Sequence, residues 1–268
     1  MRIGVISDIH IDRNKDYPVT AVLAKKAQEK SLDFLFIAGD ISNQYSITIN
    51  FMKRITELTG IPVYFVPGNH DMWDQENAYH DSRRIYQQYQ EHPACLVNKR
   101  LFLGNDWTVI GDIGWYDYSF GNEEYRKADF EKKRMYDRTW QDSVYIHWHQ
   151  TDAQVHQDML RRLEKQLMET QGKQQIVITH MVTKGLFTVP EEREMWRYFN
   201  AFLGSKDYSD LFERYHVKYS VMGHVHFRKR HVENGTTYIC SCLNYHTEWK
   251  SRDCDSEIEE ALTVIDLK

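Results

Sequence analysis

Val63-Tyr64-Phe65-Val66-Pro67-Gly68-Asn69-His70-Asp71 begins as an apolar, β-prone run and stops abruptly. Pro67 has a restricted φ and no backbone N–H, and Gly68 tolerates angles closed to other residues, so the pair forces a turn. An amide, an imidazole and a carboxylate follow at once, which places a polar site at a strand end. Alone this is a polar loop; comparable arrangements, however, recur along the chain.

Toward the N-terminus, Arg2-Ile3-Gly4-Val5-Ile6-Ser7 predicts a short strand that runs into Asp8-Ile9-His10. Residues i and i+2 of an extended segment share a face, so this carboxylate and imidazole can converge on one ion. Asp16 and Pro18 are helix-start signals, and Val19, Val22, Leu23 and Ala27 recur at helical spacing. Asp33 to Ala38 is nearly all apolar, as in a strand covered on both faces, and ends at Gly39-Asp40. Ile47, Phe51, Ile55 and Leu58 predict a second helix, ended by Gly60 and Pro62. The order β, α, β, α, β implies parallel strands with right-handed crossovers and their carboxyl ends on one edge, where open α/β sheets bind ligands.

Toward the C-terminus, Asn77 to Glu91 predicts a helix, and Leu96-Val97, Leu101 to Leu103 and Trp107 to Ile110 predict short antiparallel strands of a second sheet. Asp152 is a candidate cap for a helix whose Val155, Met159, Leu160, Leu163 and Leu167 form a core face. Gln175 to Thr179 predicts a strand closed by His180, and Lys218 to Met222 leads into Gly223-His224-Val225-His226. Asn234-Gly235 between two β-prone runs predicts a hairpin, with Ala261 to Leu267 as a final strand. Two stretches are irregular. Trp115 to Trp148 holds ten aromatics together with Arg126, Lys127, Lys132, Lys133, Arg134 and Arg138. It reads either as a lid that stacks on a substrate and grips an anion, or as a satellite core with a solvated basic face. Residues 181–207 carry Phe187, Trp196, Tyr198, Phe199 and Phe202.

The 268 residues, 41% of them hydrophobic, support a substantial core, and one domain spanning residues 1–268 is expected. A net charge of −5 disfavours a general nucleic-acid binder, although a local basic groove is compatible with it. No signal-length or membrane-length apolar run occurs, so a cytoplasmic location without a membrane span is expected. Cys95, Cys240, Cys242 and Cys254 lack a Cys-x-x-Cys pairing and are expected as reduced thiols.

Strand ends thus carry Asp8/His10, Asp40, Asn69/His70/Asp71, His180 and His224/His226. Mixed oxygen and imidazole donors suit Mn, Fe or Zn, whereas histidine disfavours Ca²⁺. His147, His149 and His156 are further imidazoles, but no strand-end carboxylate accompanies them. In order and type, Asp8-Ile9-His10, Gly39-Asp40, Gly68-Asn69-His70-Asp71, His180 and Gly223-His224-Val225-His226 resemble the signature of the calcineurin-like metallophosphoesterase superfamily. That signature runs Asp-x-His, Gly-Asp, Gly-Asn-His-Asp or Glu, a lone His, and Gly-His-x-His. The resemblance spans residues 3–226 and leaves inserts near 113–150 and 181–207 uncovered. Family members often have Pro two residues after the lone His, where this chain has Val182; the preceding Ile176-Val177-Ile178 run still favours His180 over His147, His149 or His156.

The resemblance implies two divalent ions, one held by Asp8, His10, Asp40 and His226 and the other by Asp40, Asn69, His180 and His224, with Asp40 as the bridge. It implies an α/β fold of two mixed sheets packed as a sandwich and flanked by helices; the inserts near 113–150 and 181–207, which it does not cover, are expected as a helical, aromatic substrate cap. It also implies that a hydroxide bridging the ions attacks phosphorus directly. His70 would bind the phosphoryl oxygen or protonate the leaving alkoxide, with Asp71 orienting its ring.

The function expected is hydrolysis of a small phosphorylated substrate, a phosphodiester or nucleotide-like compound. Protein Ser/Thr phosphatases of the superfamily usually carry Gly-Asp-x-x-Asp-Arg-Gly and Gly-Asn-His-Glu; this chain has Gly39-Asp40-Ile41-Ser42-Asn43 and Gly68-Asn69-His70-Asp71. Rival readings are a small-molecule phosphomonoesterase, a pyrophosphohydrolase of a nucleotide-linked lipid precursor, a nuclease, and a non-catalytic interaction module. The acidic balance and the lack of a coiled-coil segment disfavour the nuclease. Arg228 and Arg230, alternate residues just after Gly-His-x-His, are candidates for holding a second substrate phosphate.

Overall fold

The computed structural model describes residues 1–75 and 78–268. The chain runs through β1 (Arg2–Ile6), α1 (Val19–Glu29), β2 (Phe34–Ala38), α2 (Tyr45–Thr59), β3 (Val63–Val66), α3 (Ser82–Glu91), β4 (Arg100–Leu103) and β5 (Trp107–Gly111). The first insert adds α4 (Lys127–Phe130), a small hairpin of β6 (Arg134–Met135) and β7 (Arg138–Thr139), and α5 (Asp142–Tyr145). Then come α6 (Asp152–Glu169) and β8 (Gln174–Ile178), α7 (Glu194–Phe199) in the second insert, and α8 (Asp207–Arg214). The chain closes with β9 (Tyr219–Met222), β10 (Arg228–Glu233), β11 (Thr236–Ser241), α9 (Cys254–Ala261) and β12 (Thr263–Asp266).

One sheet has the order β12-β1-β2-β3 and the other β10-β11-β9-β8-β5-β4. In the first, β1, β2 and β3 are parallel and β12 is antiparallel to β1. In the second, β11, β9, β8 and β5 are parallel, with β10 and β4 as antiparallel edges. The period of two along each strand builds the layers. Ile3, Val5, Phe36, Ala38 and Val66 of one sheet meet Val109, Ile176, Ile178, Val221 and Ile239 of the other. The opposite faces carry helices: Ile6, Leu35, Ile37 and Phe65 pack against α1 and α2, and Ile110 and Val177 against Leu163, Leu167, Leu211 and Phe212. The result is the expected two-sheet sandwich flanked by helices.

Several local expectations change. Asn77 lies outside the described residues, and α3 starts at Ser82, where the Asp81 carboxylate accepts from the Arg83 N–H at 3.0 Å. Leu96-Val97 is not a strand; Val97 makes a single bridge to Gly111. Thr151, not Asp152, caps α6, in a reciprocal capping box with Gln154. The Asp152 carboxylate instead accepts from Trp115 Nε1 at 2.8 Å, Lys133 Nζ at 2.9 Å and the Tyr118 hydroxyl. Helix α9 was not foreseen; it precedes the final strand. Of the aromatic stretch, Trp115, Tyr116, Tyr118, Phe130 and Trp148 are buried in the core that also packs under β1 to β3, so most of it is core. The four cysteines are buried free thiols. Among the described residues no helix is long and apolar enough to cross a membrane.

Every loop that bears a candidate ligand leaves the carboxyl end of a parallel strand, and the two sheets bring these ends together. Two glycines permit the approach. Gly39 has φ +85°, and a Cβ on it would lie 2.6 Å from His180 Nδ1; a Cβ on Gly68 would lie 2.1 Å from Asp40 Oδ1 and 2.4 Å from its backbone N. Gly68→Ala must therefore displace the Asp40 loop and is expected to cost about 1–3 kcal/mol. Denaturant unfolding checks this, the expected result being a lower midpoint at unchanged m-value.

Candidate metal centre

The ligand candidates after β1, β2, β8 and β9 fold onto one point. Asp8, His10, Asp40, His224 and His226 all have positive φ, between 42° and 73°. For non-glycine residues that conformation costs energy and persists only where the surroundings enforce it, as at functional sites. Ligating atoms of Asp8, His10 and His226 lie within 4.8 Å of one another, and so do those of Asp40, His180 and His224. Asp40 spans the two sets: Oδ2 is 3.8 Å from His10 Nε2 and Oδ1 is 3.2 Å from His180 Nε2. Asn69 joins the second set, its Oδ1 3.0 Å from His180 Nε2.

The surroundings aim these donors. The Asp8 carboxylate accepts the His224 N–H at 3.1 Å, and Asp40 Oδ1 accepts the His70 N–H at 2.9 Å. His180 Nδ1 donates to the Ala38 carbonyl at 2.9 Å, which turns Nε2 toward Asp40. His226 Nδ1 bonds Glu248 Oε2 at 2.6 Å, which leaves Nε2 facing Asp8 at 3.4 Å and His10 Nε2 at 3.3 Å. Such outer partners fix ring orientation in metal sites.

A divalent cation fits this set. Donors about 2.0–2.2 Å from one ion sit about 3–3.5 Å apart, as His10 and His226, Asp8 and His226, and Asp40 and His180 do, with His10 and Asp40 wider at 3.8 Å. Two imidazole nitrogens at 3.3 Å need a proton or a cation between them. His224 Nε2 is buried and has no hydrogen-bond partner. Proton affinities in the centre diverge. Burial carries His10 well below its usual range and His224 down to about 3. For His180 burial opposes the charge, but the adjacent Asp40 outweighs it and lifts the ring to about 10. Burial pushes against ionised Asp40 as well, and His180 and His70 more than compensate, holding it well below the carboxylate range.

The sequence family described as calcineurin-like phosphoesterase matches residues 1–228. The chain belongs to that family. It is a metal-dependent phosphoesterase, a hydrolase. No curated protein sequence matches it significantly. Its fold is similar to phosphopantetheinyl hydrolase from Mycobacterium tuberculosis, with TM-score 0.77, 20% identity, and coverage of 98% of this chain and 95% of that one. TT1561 of Thermus thermophilus follows at TM-score 0.56 and 14% identity over 99% and 98% of the two chains. A dimetal phosphatase from Danio rerio has TM-score 0.53 and 9% identity over 90% and 86%.

The phosphoesterase departs from the sequence expectations at three side chains. Asp71 does not orient His70. Its buried carboxylate accepts from the Gly68 N–H at 2.8 Å, the Ser42 N–H at 3.1 Å, the Ile41 N–H at 3.2 Å and the Thr48 hydroxyl at 2.7 Å, and so fastens the β2 and β3 loops together. Burial and nearby Asp40 raise it to about 6. Asn43 takes the orienting place, with Oδ1 2.7 Å from His70 Nδ1, while Trp73 stacks on the ring at 3.8 Å. Arg228 does not face the site: its guanidinium donates to Glu257 and Glu260 of α9 at 2.5 and 3.0 Å and to the Cys242 and Leu243 carbonyls. Arg230 is exposed, and neither arginine lines the site cavity.

Burial lowers His70, against the pull of Asp40 and Asp142. His147, His149 and His156 do not converge. His156 instead meets Asp117 and Asp207, donating to the Trp115 carbonyl at 3.0 Å and pairing with Asp207 at 3.0 Å. Asn43, Trp73, Asp142 and Glu248 went unforeseen. Only Asn43 had a local signal, its place three residues after Asp40 beyond a strand end.

Two outcomes follow from this geometry. Asp71→Ala orphans several buried N–H groups and is expected to lower unfolding free energy by about 2–3 kcal/mol, whereas Asn43→Ala changes stability by under about 1 kcal/mol and reduces turnover; chemical denaturation and kcat separate them. His180 lies above its ordinary value, so it is protonated at neutral pH before metal enters, and metal must displace that proton. Manganese affinity is therefore expected to rise with pH across the neutral range and to fall on acidification. Calorimetry in buffers of different ionisation enthalpy should show net proton release.

Proposed function

We propose that the protein is a dinuclear phosphodiester hydrolase whose small substrate carries a slender, partly apolar arm and a second anionic group. One observation carries this reading: the candidate metal centre opens into a cavity of about 810 Å³ walled by both inserts. Trp140 of the first insert and Val189, Met195, Trp196 and Phe199 of the second form its apolar side. Arg138 and Arg193 also line it, and neither has a carboxylate partner among the described residues. Volumes of roughly 300–1,000 Å³ enclose a drug-sized ligand rather than a lone phosphoryl group. The inserts serve as the substrate cap on a single domain covering residues 1–268.

Asp8, His10, Asp40 and His226 would hold one Mn, Fe or Zn ion, and Asp40, Asn69, His180 and His224 the other. When bound, two such ions neutralise phosphoryl oxygens and bring the pKa of a coordinated water toward neutrality, so no serine or cysteine nucleophile is needed. His70 donates its Nδ1–H to Asn43 Oδ1, is backed by Trp73 and lines the cavity; as imidazolium it would carry a second proton on Nε2, and that is the proton that can pass to the departing alkoxide. Arg138 and Arg193 attract the distal anion. The name of the Mycobacterium tuberculosis protein, phosphopantetheinyl hydrolase, supports a phosphate ester with such an arm. Phosphopantetheinyl esters are accordingly the first natural class to assay.

With Mn²⁺, bis(p-nitrophenyl) phosphate is expected to be hydrolysed in preference to p-nitrophenyl phosphate, and His70→Gln to lose about 10²–10⁴-fold in kcat without losing metal. A clear monoester preference would overturn the diester reading; loss of metal in His70→Gln would overturn its role. Arg138→Gln and Arg193→Gln are expected to raise KM about two- to fivefold for a diester with a distal anion and to leave that for bis(p-nitrophenyl) phosphate unchanged.

A further inference from the structure

Asp142 comes from the first insert, 73 residues beyond Asn69, yet only 2% of the residue is exposed, beside the candidate metal centre. Oδ1 accepts from Asn69 Nδ2 at 2.8 Å and from Trp73 Nε1 at 2.9 Å; Oδ2 accepts from Trp140 Nε1 at 2.9 Å. We propose that Asp142 is the positioning residue that sets Asn69 as an oxygen donor to the centre and ties the insert to it. This rests on the metal-centre reading above.

The reason lies in the two-faced amide. Asn69 has an oxygen and an NH₂ of nearly the same shape, and only the oxygen can bind a cation. Flipped, it would set its oxygen against Asp142 Oδ1 at the 2.8 Å now spanned by a hydrogen bond, and its NH₂ toward His180 Nε2. Both Asp142 oxygens already accept from N–H groups, Oδ1 from Trp73 as well as Asn69 and Oδ2 from Trp140, so Asp142 offers Asn69 only an acceptor and admits one orientation of its amide. The same Oδ1 holds Trp73, whose ring stacks on His70 at 3.8 Å. The other oxygen holds Trp140, which lines the cavity and meets His224 edge-on at 5.8 Å between centroids. One insert residue thus reaches a metal ligand, the support of the proton-transfer histidine and the cavity wall.

Manganese per chain, measured by ICP mass spectrometry after gel filtration, and calorimetric titration with Mn²⁺ test this on the full chain. Asp142→Ala is expected to weaken one class of sites about 10–100-fold and leave the other unchanged. Trp140→Phe removes the Oδ2 bond without touching Asn69 and is expected to retain both affinities. In Asn69→Ala/Asp142→Ala the loss should not exceed that of Asn69→Ala alone, because the two act through one ligand. Unchanged affinity in Asp142→Ala, an equal loss in Trp140→Phe, or additive losses in the double variant would overturn the proposal, leaving only a packing role. Should Asp142→Ala fail to fold, Asp142→Leu, of similar size and with no acceptor, carries the same cycle, and wild-type affinity there overturns it. A wild-type protein that takes up no Mn²⁺, Fe²⁺ or Zn²⁺ would instead defeat the metal-centre reading itself.

Discussion

A single buried carboxylate, Asp40, organises the molecule. One oxygen faces His180 and the other faces His10, and almost none of the residue reaches solvent. An ionised carboxylate removed from water costs several kcal/mol unless other charges and donors compensate. The His70 N–H and the neighbouring His180, lifted above its ordinary value by Asp40, supply part of that, and a divalent cation bound at the centre would supply more. The order of the two sheets brings the ends of β1, β2, β3, β8 and β9 together around this group. The left-handed backbone at Asp8, His10, Asp40, His224 and His226 is a local consequence of turning sharply at those ends.

Around this centre the inserts complete what the sandwich begins. Most of their aromatics are spent on ordinary packing: Tyr116, Tyr118, Phe130 and Phe202 form a cluster of edge-on and tilted rings. That packing makes the insert rigid enough to present Trp140, Arg138 and Asp142 at fixed positions. A loop positioned by a rigid scaffold is where binding residues concentrate, because its sequence varies without disturbing the sheets. Asp152 plays the anchoring part on the far side, where it joins Trp115, Tyr118 and Lys133 and ties the insert to α6.

Where sequence reasoning misplaced a side chain, a long-range contact decided the matter. Arg228 stands two residues after His226 and looks like a site cation, but α9 supplies Glu257 and Glu260 beside it. Asp71 follows His70 directly, yet the turn sends its carboxylate back toward the Ile41 and Ser42 amides. Adjacency in a loop does not translate into contact, because a sharp turn sends successive side chains in different directions.

The sequence by itself determined the strand-end candidate ligands Asp8, His10, Asp40, Asn69, His180, His224 and His226, the β-α-β-α-β start and the family. These are short-range signals: an apolar run, a Gly or Pro break and a donor directly after it require no knowledge of what packs elsewhere. Only the tertiary structure decided that Asn43 orients His70, that Glu248 backs His226, that Asp142 holds Asn69, and that Arg138 and Arg193 face the cavity. These residues come from loops and inserts whose directions are set by burial of distant aromatic surface, and that packing has no period along the chain.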